Sequence, residues 1–293
     1  MIGVRTGSGS GNGASGGGGP RSETVGLVAV AKAFGRRGRQ GALPVLDGVD
    51  LGVAGGEFVA VLGPSGCGKS TLLRLIAGLD RPTAGEVRLG GQPVTGVDAR
   101  CAVVFQEPRL LPWRNVAANV ALGARGRTTG TKPEALLAQV GLAGFAAAYP
   151  HQLSGGMAQR AGLARALIGD PRVLLLDEPF ASLDALTRLR IHDLLAAICR
   201  ERRPTVVMVT HDVDEALALA DRIVIMGPRP ARVVATIAVP TLRPRDRADP
   251  ALARLRAEIL GYFGFHTGTA TSAAPAATRR EDEDDDEREA AIA

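Results

Sequence analysis

Four short runs in this chain are apolar at every position: Phe58-Val59-Ala60-Val61-Leu62, Ala102-Val103-Val104-Phe105, Val173-Leu174-Leu175-Leu176 and Val206-Val207-Met208-Val209. A strand with one wet face alternates apolar and polar residues, whereas one covered on both faces is apolar throughout, so these runs predict buried strands. Helix-like stretches at 70–79, 185–201 and 213–220 follow three of the four. Strand–helix alternation of this kind predicts an α/β fold with a parallel sheet between two helical layers. Between about 107 and 169 strong strand signals are missing and Ala and Leu dominate, which predicts a helical insertion. There is no internal repeat. The longest nearly apolar stretch, 135–149, is interrupted by Gln139, Gly141 and Gly144, so no membrane-spanning helix is expected.

The two ends have a different texture. The first 20 residues contain nine glycines and too few bulky side chains to offset the entropy of ordering. The last stretch runs from Ala/Thr-rich into the acidic segment 281–287. The expected organisation is a disordered tail over 1–22, a folded domain over 23–265 and a disordered acidic tail over 266–293. An apolar core before a cleavage site is missing from the N-terminus, so a secretory signal is not expected. Cys67, Cys101 and Cys199 are odd in number and far apart, which fits a reducing compartment rather than a disulfide framework. The net charge of +5 conceals a balance of −5 between Arg279 and Glu289, leaving +10 on the rest. Nearly all the cations are arginines, lysine occurring only at 32, 69 and 132.

One of those lysines stands in Gly63-Pro64-Ser65-Gly66-Cys67-Gly68-Lys69-Ser70-Thr71, a G-x-x-x-x-G-K-[ST] loop between an expected strand and an expected helix. Glycines let successive backbone N–H groups point inward, and the start of the helix adds partial positive charge. Lys69 brings a compact charge to the β and γ phosphates, and Ser70 brings a hydroxyl to Mg²⁺. Cys67 reads as a small filler. The run 173–176 ends in Asp177-Glu178, which places two acids at the carboxyl edge of the sheet, where open α/β folds bind ligands. Asp177 is expected to hold Mg²⁺ and Glu178 to polarise an attacking water.

Further motifs follow in order. Gln106 ends a strand and Leu153-Ser154-Gly155-Gly156-Met157 opens a helix, with Ser154 as its N-cap; Ser182-Leu183-Asp184 and His211 come later. This series resembles the nucleotide-binding subunits of ABC transporters across nearly the whole expected domain. The resemblance implies a P-loop NTPase fold: a RecA-like parallel sheet core, the inserted helical subdomain and an N-terminal antiparallel β portion. It implies ATP and Mg²⁺ as ligands, with Glu178 as general base and His211 and Gln106 beside the reacting phosphate. Gln106 joins Ser70 and Asp177 around the metal. Ser154, Gly155, Gly156 and Asp184 are implied to face nucleotide held by a second copy, which makes the unit a homodimer. Phe34 matches the aromatic position that stacks on adenine. Met157 departs from the usual glutamine of the signature.

Leu110-Leu111-Pro112-Trp113-Arg114-Asn115-Val116 and the segments 183–189 and 209–216 resemble the nitrate, sulfonate and taurine importer group, and 254–260 its aliphatic-sulfonate branch. That implies two transmembrane permease subunits as partners, a solute-binding protein acting indirectly, and a peripheral position on the cytoplasmic face of the membrane. Trp113 reads either as an exposed permease contact or as a residue buried under the helical insertion. Taurine or nitrate is the alternative solute. An ABC-type ATPase acting on nucleic acid is disfavoured, because only 84 positions separate Lys69 from Leu153 and there is a single cassette. A P-loop kinase or GTPase would leave the Ser-Gly-Gly signature without a purpose.

Overall fold

The computed structural model describes residues 22–35, 41–124 and 130–265; the expected tails lie outside them except for Ser22. The chain runs β1 (Val25–Gly35), β2 (Ala42–Val53), β3 (Phe58–Leu62), α1 (Lys69–Ile76), β4 (Ala84–Leu89), β5 (Gln92–Pro93) and β6 (Cys101–Val104). Then come α2 (Val116–Ala121), α3 (Pro133–Gln139), α4 (Gly155–Leu167), β7 (Val173–Asp177), α5 (Ala185–Arg202), β8 (Thr205–Val209), α6 (Val213–Leu219), β9 (Arg222–Met226), β10 (Val233–Ala238) and α7 (Pro250–Tyr262). All four fully apolar runs are strands. They lie together in a six-stranded sheet of order β10-β9-β3-β8-β7-β6, parallel from β9 to β6 with β10 antiparallel at the edge. A second sheet, β2-β1-β4-β5, is antiparallel throughout, as the resemblance implied.

The continuous apolarity of the central strands has a direct cause. Successive side chains point to opposite faces, and each face has its own core. Phe58, Ala60 and Leu62 of β3, Leu174 and Leu176 of β7, and Val206 and Met208 of β8 enter one cluster. Val59 and Val61, Val173 and Leu175, and Val207 and Val209 enter the other, against α1 and the antiparallel sheet. The first cluster continues into the helical insertion through Val116, Val120, Leu136, Leu137 and Leu163. The insertion is therefore packed on the sheet rather than suspended from it. Each large side chain buried here stabilises the fold by about 1.5–3 kcal/mol. Cys67, Cys101 and Cys199 are buried, and none is in a disulfide. Among the described residues no helix is long and apolar enough to cross a membrane.

Candidate functional site

The phosphate loop connects the end of β3 to the start of α1 and depends on left-handed backbone. Gly66 and Gly68 have φ of 73° and 125°, and a Cβ on Gly68 would lie 2.8 Å from Val45 Cγ1. Only glycine fits there. Cys67 is buried in the core beneath the loop, the filler role its size suggested. Lys69 is buried, and its Nζ donates to the carbonyls of Gly63 at 2.8 Å and Pro64 at 3.0 Å. Ser70 Oγ donates to Asp177 Oδ1 at 2.9 Å, across 107 residues of sequence. Burial pushes the Asp177 carboxyl above its ordinary range, with the Ser70 hydrogen bond opposing the shift and Glu178 adding to it.

Glu178 leaves the end of β7 with φ of 45°, in the left-handed region. Its N–H still donates to Val209 O at 2.9 Å, so the turn begins only after the last ladder bond. Such a backbone costs roughly 1–3 kcal/mol and is typical of functional positions. It brings the carboxylate between two of the expected residues: Gln106 Nε2 lies 3.3 Å from Glu178 Oε2, and His211 Nδ1 lies 3.4 Å from Oε1. Gln106 is set by α4, where Gln159 donates to Phe105 O at 3.2 Å and Arg165 reaches the carbonyls of Pro108 and Arg109.

Part of this group surrounds one cavity of about 550 Å³, while Asp177, Gly63, Pro64 and Cys67 are not among its lining residues. Lys69, Ser70, Thr71, Gln106, Glu178 and His211 line its polar end. Phe34, Leu43 and Val45 of the antiparallel sheet wall its other end, Phe34 facing Leu43 in the β1–β2 register. Phe34 is 39% exposed, so it lines the cavity rather than filling the core, and Lys32 Nζ stands 4.8 Å from its ring centre. Sequence reasoning missed Leu43, Val45 and Arg229. Arg229 borders the cavity and donates to the Gly66 carbonyl from 163 positions away. The strand register gives the first two once Phe34 is placed; nothing local points to Arg229.

Ser154, Gly155, Gly156 and Asp184 are elsewhere. They line a separate hollow of about 320 Å³ with Met157, Arg160 and the 182–184 loop, and none of its lining residues borders the first cavity. Ser154 caps α4, its Oγ accepting from Met157 N at 3.3 Å. Asp184 caps α5, accepting from Thr187 N at 2.9 Å; hydrogen bonding from Thr187 holds its carboxyl below the usual range. Gly156 packs against the 182–184 loop, where a Cβ would come within 3.0 Å of Ser182 O. Met157, the departure from the signature, packs its side chain partly against the core.

One further cavity, of about 480 Å³, lies between the parallel sheet core and the helical insertion. Leu79, Val97, Phe105, Leu111 and Leu122 make it largely apolar, with Arg109 and Arg165 at its wall. Trp113 is 71% exposed, which settles its two readings in favour of the surface. The loop that presents it is held by Asn119, a buried residue that sequence reasoning passed over. Asn119 Oδ1 accepts from Leu111 N at 2.7 Å, and its Nδ2 donates to Leu111, Arg114 and Asn115 carbonyls at 3.1, 2.9 and 3.0 Å.

The description "ABC transporter" belongs to the family model that matches residues 46–181. The aliphatic sulfonates import ATP-binding protein of Burkholderia lata is 53% identical over 221 residues, 75% of this chain and 81% of that one. Its namesake in Granulibacter bethesdensis is 53% identical over 232 residues, covering 79% and 93%. That of Nocardia farcinica is 50% identical over 242 residues, covering 82% and 92%. Among solved structures, an ATP-binding cassette in a dimeric post-hydrolysis state with ADP and Pi superposes with a TM-score of 0.67. It is 33% identical, and the match covers 74% of this chain and all of that one. A dimeric bacterial ABC transporter cassette gives a TM-score of 0.66 at 32% identity. With the phosphate loop, the paired acids and the capped signature helix in these positions, the chain belongs to the ABC transporter family as one of its ATP-hydrolysing, ATP-binding subunits.

Proposed function

We propose that this chain is the energy-coupling ATPase of an importer for aliphatic sulfonates. It works as a homodimer at the cytoplasmic face of the membrane beneath two permease subunits, which a solute-binding protein supplies. The separation of its two cavities carries the dimer: the signature hollow of one chain completes the phosphate cavity of the other, so each ATP lies between copies. The dimeric state of both solved cassettes supports this arrangement. The names of the relatives support the solute.

In this reading adenine stacks on Phe34 against Leu43 and Val45, and the N–H groups of residues 63–71 cradle the phosphates. Lys69 exchanges its two loop carbonyls for phosphate oxygens. The donor set also suits Mg²⁺: one carboxylate and one hydroxyl already 2.9 Å apart, with Gln106 lining the same cavity as the hydroxyl. Such a set fits a cation which keeps its waters and is bound through one or two carboxylates plus substrate phosphates. Asp177 and Ser70 would hold Mg²⁺ there, and its charge would offset that of the β and γ phosphates. Glu178 accepts the proton of the attacking water, Gln106 and His211 fix its carboxylate, and His211 also contacts the γ-phosphate. Ser154, with the N–H groups of Gly155 and Gly156 from the partner copy, closes the site from the far side.

ATP binding thus draws two copies together, and hydrolysis releases them. The apolar cavity beside the 105–111 loop and the exposed Trp113 form the surface where a permease helix docks, so closure of the dimer is passed to the membrane. The test of the solute is deletion of the gene followed by growth on single sulfur sources. Growth on alkanesulfonates is expected to fail while growth on sulfate and taurine persists. Normal growth on alkanesulfonates would contradict the assignment.

A further inference from the structure

The phosphate cavity and the signature hollow share no lining residue, yet one side chain reaches the loops behind both. Arg188 lies in the first turn of α5, directly after the helix cap at Asp184. Its Nη2 donates to the Leu183 carbonyl at 3.2 Å, and Leu183 lines the signature hollow. Its Nη1 donates to Asp212 Oδ2 at 3.4 Å, and its Nε stands 3.7 Å from Glu215 Oε1. The two acids belong to the segment carrying His211. Thr210 Oγ1 donates to Glu215 Oε2 at 2.6 Å and accepts from Asp212 N at 3.1 Å. The residues before and after His211 are therefore tied to one another, and Arg188 ties both to the 182–184 loop.

Two details show that this contact is poised rather than closed. Glu215 is buried, and among the described residues Arg188 is the only cation within ion-pair distance of it. Arg188 Nε is itself buried with no hydrogen-bond partner. Shortening the 3.7 Å gap by about 0.5 Å would bring it into hydrogen-bond range. A small inward shift of the 182–184 loop, such as a partner chain pressing on the signature hollow would cause, moves α5 and Arg188 with it.

We propose that Arg188 is a positioning residue that couples the two ATP sites of the dimer: occupation of the site at this chain's signature is relayed through Leu183, Arg188, Asp212 and Glu215 to His211 in the site at its own phosphate loop. The relay rests on the two-chain reading above. It acts on the segment that holds His211 and leaves the phosphate loop alone.

Steady-state hydrolysis against ATP concentration tests this with the full chain, wild type against Arg188→Met and the double variant Arg188→Met/Glu215→Gln. The double variant removes the half-buried cation and the buried acid together, so that an unpaired Glu215 cannot account for the result through misfolding; melting curves verify that it folds. Wild type is expected to show a Hill coefficient above one. Both variants are expected to show a coefficient of one, with kcat lowered about 2- to 30-fold and ATP binding to the single chain unchanged. An undiminished Hill coefficient in either variant overturns the relay, and so does loss of ATP binding in step with kcat, which would mark a merely structural arginine. A wild-type coefficient of one also overturns it. ATP-dependent dimerisation of Glu178→Gln, measured in parallel, separates the cases: if dimers form, only the relay falls, and if they do not, the two-chain reading falls with it.

Discussion

Burial pushes the Asp177 carboxyl above the usual carboxylate range, so the nucleotide-free fold prefers it protonated. Stability from that preference is fully present below the unfolded carboxylate range and is lost as pH rises through the raised folded value. At neutral pH the ionised group therefore destabilises the empty protein, a cost that fits a residue kept for a cation. Asp177→Asn is expected to raise the melting temperature at pH 7, the direction that a raised carboxyl dictates. The gain should vanish below about pH 4, while hydrolysis falls roughly 10- to 100-fold or more. A lower melting temperature at pH 7, or unimpaired hydrolysis, would contradict this account of the site. Residues of this kind were legible because local backbone rules place them. Glycine is needed where φ is positive, and an acid at the end of an apolar strand must emerge at the sheet edge. Arg229, Asn119 and Arg188 were not, since each acts by donating to a carbonyl or carboxylate that only the folded chain brings near.

At the scale of elements, the loop between β6 and α2 shows how one buried polar group serves an exposed apolar one. Asn119 satisfies four backbone groups and Trp113 rides on the loop it holds. Asn119→Ala leaves those groups unpaired and is expected to cost roughly 2–4 kcal/mol. Trp113→Ala is expected to stay within about 0.5 kcal/mol of wild type. Co-purification with the permease should weaken in both variants, and ATP binding should survive in Trp113→Ala. If Trp113→Ala kept its permease and lost nucleotide, the docking surface would be misplaced. The central strands and their helices were readable from the sequence because each strand is sealed on two faces. Most of the antiparallel sheet was implied only by resemblance. Its alternation is broken by register shifts along β1, between Leu27 and Val30 and again around Lys32, with Ala29 at φ of 47°. A strand broken in this way leaves no clean period of two to read.

The whole molecule has two separate hollows: one is lined by Glu178 and the phosphate loop, the other by a capped helix with no phosphate loop of its own. Sequence order alone gives six motifs and cannot say that they part into two groups. That partition follows from the fold, in which the 182–184 loop packs on the signature helix while Glu178, four residues earlier, turns back toward Gln106 and His211. In the proposed function a single chain is half of each site, and shared binding of ATP is its central claim. The most direct test is light scattering of purified Glu178→Gln, titrated with MgATP. The prediction is a shift from monomer to dimer mass that MgADP does not produce and that Ser154→Arg in the same background abolishes. Monomer at every ATP concentration, with nucleotide demonstrably bound, would contradict the account.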